Sequence, residues 1–196
     1  MPSKILTLTG SSGVGKTTIA GELLKKLTNA QMVTSTTTRD KRDSDLPGEY
    51  YYVSQKKFYE MAREGLFLWW VSKFGNSYGT TKESIRILGK YPDNLFLMLL
   101  VPSTIETLKV EARKNGIEVI SLYILSPQEN ILRERLKERG DPASEIERRI
   151  EECKEWDANA KQSAHLYKGF VRNSGLIEEA LYSIFTHLAA SGMDID

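Results

Sequence analysis

The sequence has little of several things, and each shortage removes a class of function. It has one cysteine, Cys153, so no internal disulfide can form and a reducing cytoplasmic location is expected. Neither of its two histidines, His165 and His187, has Cys or carboxylate neighbours at metal-ligand spacing, which argues against a zinc site. Charge of one sign is missing too. The 27 Lys and Arg against 26 Asp and Glu leave a formal net charge of +1, so neither nucleic acid nor a membrane is an expected partner. The apolar runs 95–101 and 117–125 are far too short to cross a bilayer, and the first residues lack a signal-peptide pattern. No internal repeat or low-complexity segment is present. What remains is 196 residues of 40% hydrophobic composition, enough for one domain with a real core and small insertions. A monomer and a homodimer both fit.

Against these absences stands one dense motif. Gly10-Ser11-Ser12-Gly13-Val14-Gly15-Lys16-Thr17-Thr18 follows an apolar strand-like run, 5–9, and opens an amphipathic helix. Glycines let the backbone wrap an anion with its N–H groups inward, and the positive end of the next helix adds to the field. Lys16 then reaches the β- and γ-phosphates and the Thr17 hydroxyl ligates Mg²⁺. A Gly-rich turn before an ordinary helix is the competing reading, but the strand–loop–helix context favours a nucleoside triphosphate site, with ATP as donor.

Strand and helix signals alternate along the chain. Strands are expected at 5–9, 30–35, 95–101, 119–125 and 169–172, and helices at 16–29, 104–115, 128–139, 143–166 and 176–190. Gly116 and Gly140 sit where left-handed helix caps belong. The order implies an α/β fold with a parallel sheet buried by helices and ligands at the strand C-terminal ends.

Two stretches break the alternation. Residues 34–81 are polar and aromatic, with strand-like pieces at 50–53 and 67–74 and a short helix capped by Ser54 and ending near Gly65. Residues 139–149 are charged around a Gly-Asp-Pro break. An insertion and a charged flap suit a two-substrate phosphotransfer enzyme, one to carry the acceptor and the other to close over the phosphates. In the insertion, Arg39 and Arg42 stand three apart beside hydroxyl side chains, and each guanidinium can donate paired hydrogen bonds to a phosphate. The phenols at 50–52 and the run Asn76-Ser77-Tyr78-Gly79-Thr80 supply further donors. Taken alone, the arginines read as a solvated turn and the tyrosines as sheet-edge packing.

Together with the loop, these residues resemble the guanylate kinase family over nearly the whole chain. The resemblance rests on Gly10 to Thr17, on Ser35-Thr-Thr-Thr-Arg39 with Arg42, and on Gly48-Glu-Tyr-Tyr51 leading to Val53-Ser54. It continues through Phe58, Gly65, Phe67, Trp70 and Gly75-Asn76-Ser77-Tyr78-Gly79-Thr80. Looser matches are Ser126-Pro127, Arg135-Leu136, Arg139-Gly140, Arg149 and Val171-Arg172-Asn173. It implies a three-layer P-loop kinase fold: a core at 1–33 and 82–196, a lid at about 137–152, and an inserted acceptor domain at 34–81. It also implies that Arg39, Arg42, Tyr51 and Tyr78 hold the acceptor's phosphate, that Arg139 and Arg149 clamp the transferring phosphoryl beside Lys16, and that Asn173 lies near adenine.

Two departures bear on the acceptor. In the family, the position before the tryptophan of Phe-x-x-Trp is a glutamate that reads guanine; here Phe67-Leu68-Trp69-Trp70 puts Trp69 there. With Trp70 in the family's core position, strand alternation points Trp69 at the base, where Ser35 and Thr80 can still touch its edge. The third apolar strand, which the family ends with aspartates, carries no acid, and Asp93 precedes it. Three readings follow. The first is a kinase of nucleoside monophosphates, with GMP the acceptor by resemblance. The second is a kinase of a non-nucleotide phosphate such as ribose 1,5-bisphosphate. The third is a non-catalytic binding module, against which Lys16, Thr17, Arg139 and Arg149 all speak.

Overall fold

Runs of Leu, Ile, Val and Phe become the buried strands of a central sheet. The computed structural model describes residues 2–73 and 75–193. Along the chain lie β1 (Lys4–Thr9), α1 (Lys16–Lys26), β2 (Ala30–Met32), β3 (Ser35–Thr37), β4 (Tyr50–Tyr52), α2 (Gln55–Arg63), β5 (Phe67–Lys73) and β6 (Asn76–Thr81). Then come α3 (Lys82–Arg86), β7 (Leu95–Leu100), α4 (Ile105–Lys114), β8 (Glu118–Leu125), α5 (Glu129–Glu138), α6 (Ala143–Gln162), β9 (Gly169–Arg172) and α7 (Ile177–Ala189).

The fold is α/β. A five-stranded sheet has the order β2-β7-β1-β8-β9, with β2–β7 and β8–β9 parallel. A second, four-stranded sheet has the order β4-β3-β6-β5. The expected strand 30–35 divides between them. Val33 still donates to the Leu97 carbonyl, Thr34 turns its hydroxyl to the Gly48 carbonyl, and Ser35 N–H goes to Glu49 in the second sheet. The expected helix 16–29 ends at Lys26, and 143–166 ends at Gln162 before a separate 3-10 turn at Ala164–Leu166. Gly116 (φ +68°) and Gly140 (φ +84°) do take the left-handed conformation after α4 and α5. Phe74, the expected end of a strand, lies outside the described residues.

By contacts the chain forms two compact units. The first comprises residues 1–6, 28–98 and 103–119, and holds the second sheet. There Ser54 accepts a hydrogen bond from Lys57 N–H at 3.2 Å and caps α2, whose Phe58 and Met61 pack on Phe67 with Val53 and Ala62 alongside. The second comprises residues 7–27, 99–102 and 120–196, with α1 against α7 and α5 against α6 through Leu132, Leu136, Ile146, Ile150 and Cys153. Among the described residues no helix is long and apolar enough to cross a membrane.

Candidate active site

In the second unit the loop after β1 can be built only with glycine. A Cβ on Gly10 would lie 2.6 Å from the Ile124 carbonyl oxygen, and one on Gly15 (φ +96°) would collide with the Asn173 amide nitrogen. Gly13 is pressed against Leu132 and Leu136 of α5. The Asn173 amide, 4% exposed, donates to the Val14 carbonyl at 2.9 Å and so braces the loop. The Lys16 ammonium donates to the carbonyls of Gly10 and Ser11 at 2.8 and 2.7 Å, which holds its charge against the loop. Beyond Gly15, α1 begins at Lys16 with Thr17 and Thr18 in its first turn, where helix N–H groups lack intrahelical partners.

The charged flap joins this loop. Arg139 donates to the Ser12 hydroxyl at 3.1 Å and pairs with Asp141. Arg149 meets the same Asp141 carboxylate at 3.3 Å and Glu145 at 3.0 Å. Two arginines ten residues apart in sequence are thus gathered on one acid. Arg135, which the motif reading left without a role, stands here as well. Its Nη1 is buried without a hydrogen-bond partner among the described residues, 3.8 Å from the place of a Gly15 Cβ. Its spacing of four from Arg139 along α5 was the available signal. Cys153 is buried, its thiol 3.8 Å from the Ser12 carbonyl, and burial pushes its pKa up, which leaves it unreactive.

In the first unit, one face of the second sheet collects the acceptor candidates. Trp69 sits across from Thr80 in the antiparallel β5–β6 pair, and the Thr80 hydroxyl lies 3.0 Å from that of Ser35. Tyr78, two residues before Thr80, shares that face and approaches Tyr50 ring to ring at 6.2 Å. The Arg39 guanidinium stacks over Tyr50 at 5.3 Å. It also donates to Asp45 at 2.7 Å, while Asp45 accepts from Arg42 N–H and the Tyr52 hydroxyl, each at 2.7 Å. Burial would raise the Asp45 pKa, but these donors outweigh it and hold the carboxyl below its ordinary value. Burial likewise opposes the Arg39 charge, and Asp45 more than restores it. Glu49, beside them, is pushed up by burial.

The core place expected for Trp70 is corrected, and the other candidates fall as follows. Tyr51 is 58% exposed on the opposite face from its neighbours, because alternation along β4 gives that face to Tyr50 and Tyr52 instead. Trp70 is not a core residue: it is 45% exposed, edge-on to Phe58 and Tyr59. A bulge between Phe67 and Trp69 puts Phe67 into the core and leaves Trp69 on the face of Thr80. Asn173 donates one amide N–H to the Val14 carbonyl and so supports the loop. Arg42 itself is exposed, its backbone rather than its side chain tied to Asp45.

The comparisons with known proteins agree with this geometry. A family model described as Guanylate kinase matches residues 2–190. The chain belongs to the guanylate kinase family. It is 36% identical to a guanylate kinase of Prochlorococcus marinus, covering 75% of this chain and 78% of that one. A guanylate kinase of Wolbachia pipientis is 35% identical over 76% of this chain and 73% of its own. In fold it is similar to the crystal structure of guanylate kinase from Anaplasma phagocytophilum, with a TM-score of 0.68 over 98% of this chain and 88% of that one, at 24% identity. As a guanylate kinase family member it is an ATP-dependent kinase of the nucleoside monophosphate type.

Guanylate kinases work with Mg²⁺-bound ATP, and the donors present suit that ion. No hydrogen bond among the described residues occupies the Thr17 hydroxyl, and no group of three or more His, Cys, Asp or Glu side chains stands ready to cage a metal. Mg²⁺ is well served by such a sparse site, because it keeps waters and leans on substrate phosphates.

Proposed function

We propose that the chain moves the γ-phosphoryl of ATP onto the phosphate of a nucleoside monophosphate, with GMP the acceptor its relatives' names point to and Trp69 the residue that sets base preference. The observation that carries this is the gathering of Arg139 and Arg149 on Asp141, with Arg139 also reaching Ser12 of an intact phosphate loop. A module that only bound a partner would have no use for that arrangement.

The chemistry follows from positioning and charge. Loop N–H groups and Lys16 hold the donor phosphates, while Arg139, Arg149 and Arg135 face the charge that develops during transfer. Arg39 and Arg42, with the phenols of Tyr50, Tyr52 and Tyr78, hold the acceptor phosphate for in-line attack. The attacking oxygen belongs to a phosphate already ionised near neutral pH, with a second pKa of about 6, so no general base is needed. Thr17 would hold Mg²⁺ together with the phosphates, and the ion when bound would neutralise the leaving group's charge. A cytoplasmic location and small-molecule partners complete the proposal.

A kinase of a sugar phosphate is the second reading, favoured by one feature. At the end of the acceptor face marked by Trp69, Thr80 and Ser35, the side chains offer an indole and two hydroxyls and no carboxylate. The experiment is ADP release with ATP and Mg²⁺ against GMP, dGMP, AMP, CMP, UMP, dTMP and ribose 1,5-bisphosphate. Turnover on a nucleoside monophosphate supports the proposal. Turnover on the sugar phosphate alone supports the second reading, and silence with ATP bound rejects both.

A further inference from the structure

The anion-binding groups of the acceptor face already hold an anion, and it belongs to the protein. Asp45 Oδ1 accepts from the Arg39 guanidinium, and Oδ2 accepts from both Arg42 N–H and the Tyr52 hydroxyl, all at 2.7 Å. The Arg39 and Asp45 side chains are only 9% and 8% exposed. The other guanidinium nitrogen of Arg39 donates to the Asp40 carbonyl at 2.6 Å, and its face is taken by Tyr50. A guanidinium, a backbone N–H and a phenol turned on one pair of oxygens is the donor set that a phosphate requires.

This placement is more than a surface ion pair. Asp45 lies on the loop between β3 and β4, six residues from Arg39, and its partners come from that same loop and from β4. The nearby titratable groups are Glu49, Tyr50 and Tyr78. Glu49 is buried and occupied by Leu46 N–H and the Tyr50 hydroxyl, so it does not relieve Arg39 of Asp45. A phosphate dianion brought to the same donors would face a carboxylate a few ångströms away in a half-dry site, where like charges repel strongly. Both cannot use Arg39 and Tyr52 at once.

We propose that Asp45 is a built-in stand-in for the acceptor's phosphate, which competes for Arg39 and Tyr52 and which the acceptor displaces on binding. This rests on the reading of 34–81 as the acceptor site. Asp45 keeps the cage formed and its arginine aligned between turnovers, weakens acceptor binding, and takes the donors back when product leaves. It determines affinity through Arg39 without touching the reacting atoms.

The test uses the full chain and inorganic phosphate as probe, followed by calorimetry, with Asp45→Asn as the main variant. Asparagine keeps the shape and removes the charge. The expected result is phosphate binding roughly tenfold tighter in Asp45→Asn, with a lower acceptor KM and no rise in kcat. Asp45→Ser, which removes the carboxylate and leaves every donor of the cage in place, is expected to tighten phosphate in the same direction, and serves if Asp45→Asn does not fold. Phosphate binding that depends on Arg39 but is weaker or unchanged in both variants overturns the displacement alone, because Asp45 then only orients Arg39. Phosphate binding that is absent, or indifferent to Arg39→Ala, overturns the acceptor-site reading and the displacement together.

Discussion

Trp69 lies directly across from Thr80, and Thr80 is joined to Ser35 hydroxyl to hydroxyl at 3.0 Å. This trio stands on the same sheet face as Tyr78, with Tyr50 and Arg39 continuing the contacts. One end of the face is therefore rich in anion-binding donors, and the other offers an indole and hydroxyls. Guanine presents N1–H and 2-amino donors that a carboxylate would accept, and each buried donor left unpaired costs about 1–3 kcal/mol. Trp69→Glu should accordingly raise the kcat/KM ratio of GMP over AMP by about tenfold or more. Steady-state kinetics on both acceptors would check it, and an unchanged ratio would mean that Trp69 does not meet the base.

Lys16 is the charge that the phosphate loop cannot lose. Lys16→Ala should leave the fold intact, because the ammonium's partners are carbonyls of Gly10 and Ser11 at the loop itself. It should remove charge-assisted bonds to the donor phosphates, roughly 1.5–3 kcal/mol. The rise in melting temperature that ATP with Mg²⁺ gives the wild-type chain should shrink sharply in the variant. Equal shifts in both would contradict the assignment of the loop.

Arg39→Ala and Arg42→Ala separate acceptor from donor. Each should raise the acceptor KM by about tenfold or more while the ATP KM stays near its original value. The effect of Arg39→Ala should be the larger, because Arg39 is buried over Tyr50 whereas the Arg42 side chain is exposed. A matched rise in the ATP KM would count against the placing of these residues with the acceptor.

Asp45 also ties stability to pH. Its folded-state pKa lies below the unfolded value of about 3.9, so its stabilising contribution is fully present above that value. It is lost as pH falls through the folded-state pKa. Thermal melts of the wild-type chain and Asp45→Asn should therefore differ near neutral pH and converge in acid, once the pH has fallen below the lowered folded-state pKa of Asp45. A gap that persists at low pH would mean that the Asp45 charge contributes nothing to the fold.

Much of this was legible in the sequence, for reasons that differ from element to element. The strands at β1, β7 and β8 announce themselves as apolar runs because most of their side chains are buried on a parallel sheet. The loop from Gly10 to Thr18 is legible because each glycine answers a local collision. The second sheet was harder. Asn76–Thr81 is polar, and its strand character comes from pairing with β3 and β5 rather than from its own pattern. Alternation could not be counted through the bulge after Phe67, so the expected place of Trp70 in the core failed while Trp69 kept its face. A run of three tyrosines gives no signal of which share the face of Tyr78; the strand puts Tyr50 and Tyr52 there and Tyr51 on the other. Asp45, Asp141 and Arg135 act through partners set by the tertiary fold, and composition around them looks like any charged loop.

The most direct test of the account is to follow the phosphoryl group itself. The chain would be incubated with Mg²⁺ and ATP labelled at the γ-phosphoryl, with GMP and AMP in separate reactions, and the phosphorylated products identified. The account predicts that label appears as the β-phosphoryl of a nucleoside diphosphate in step with ADP release, and that Lys16→Ala abolishes both. ADP release with the label recovered only as inorganic phosphate, or no release with any nucleoside monophosphate while ATP is bound, would contradict it.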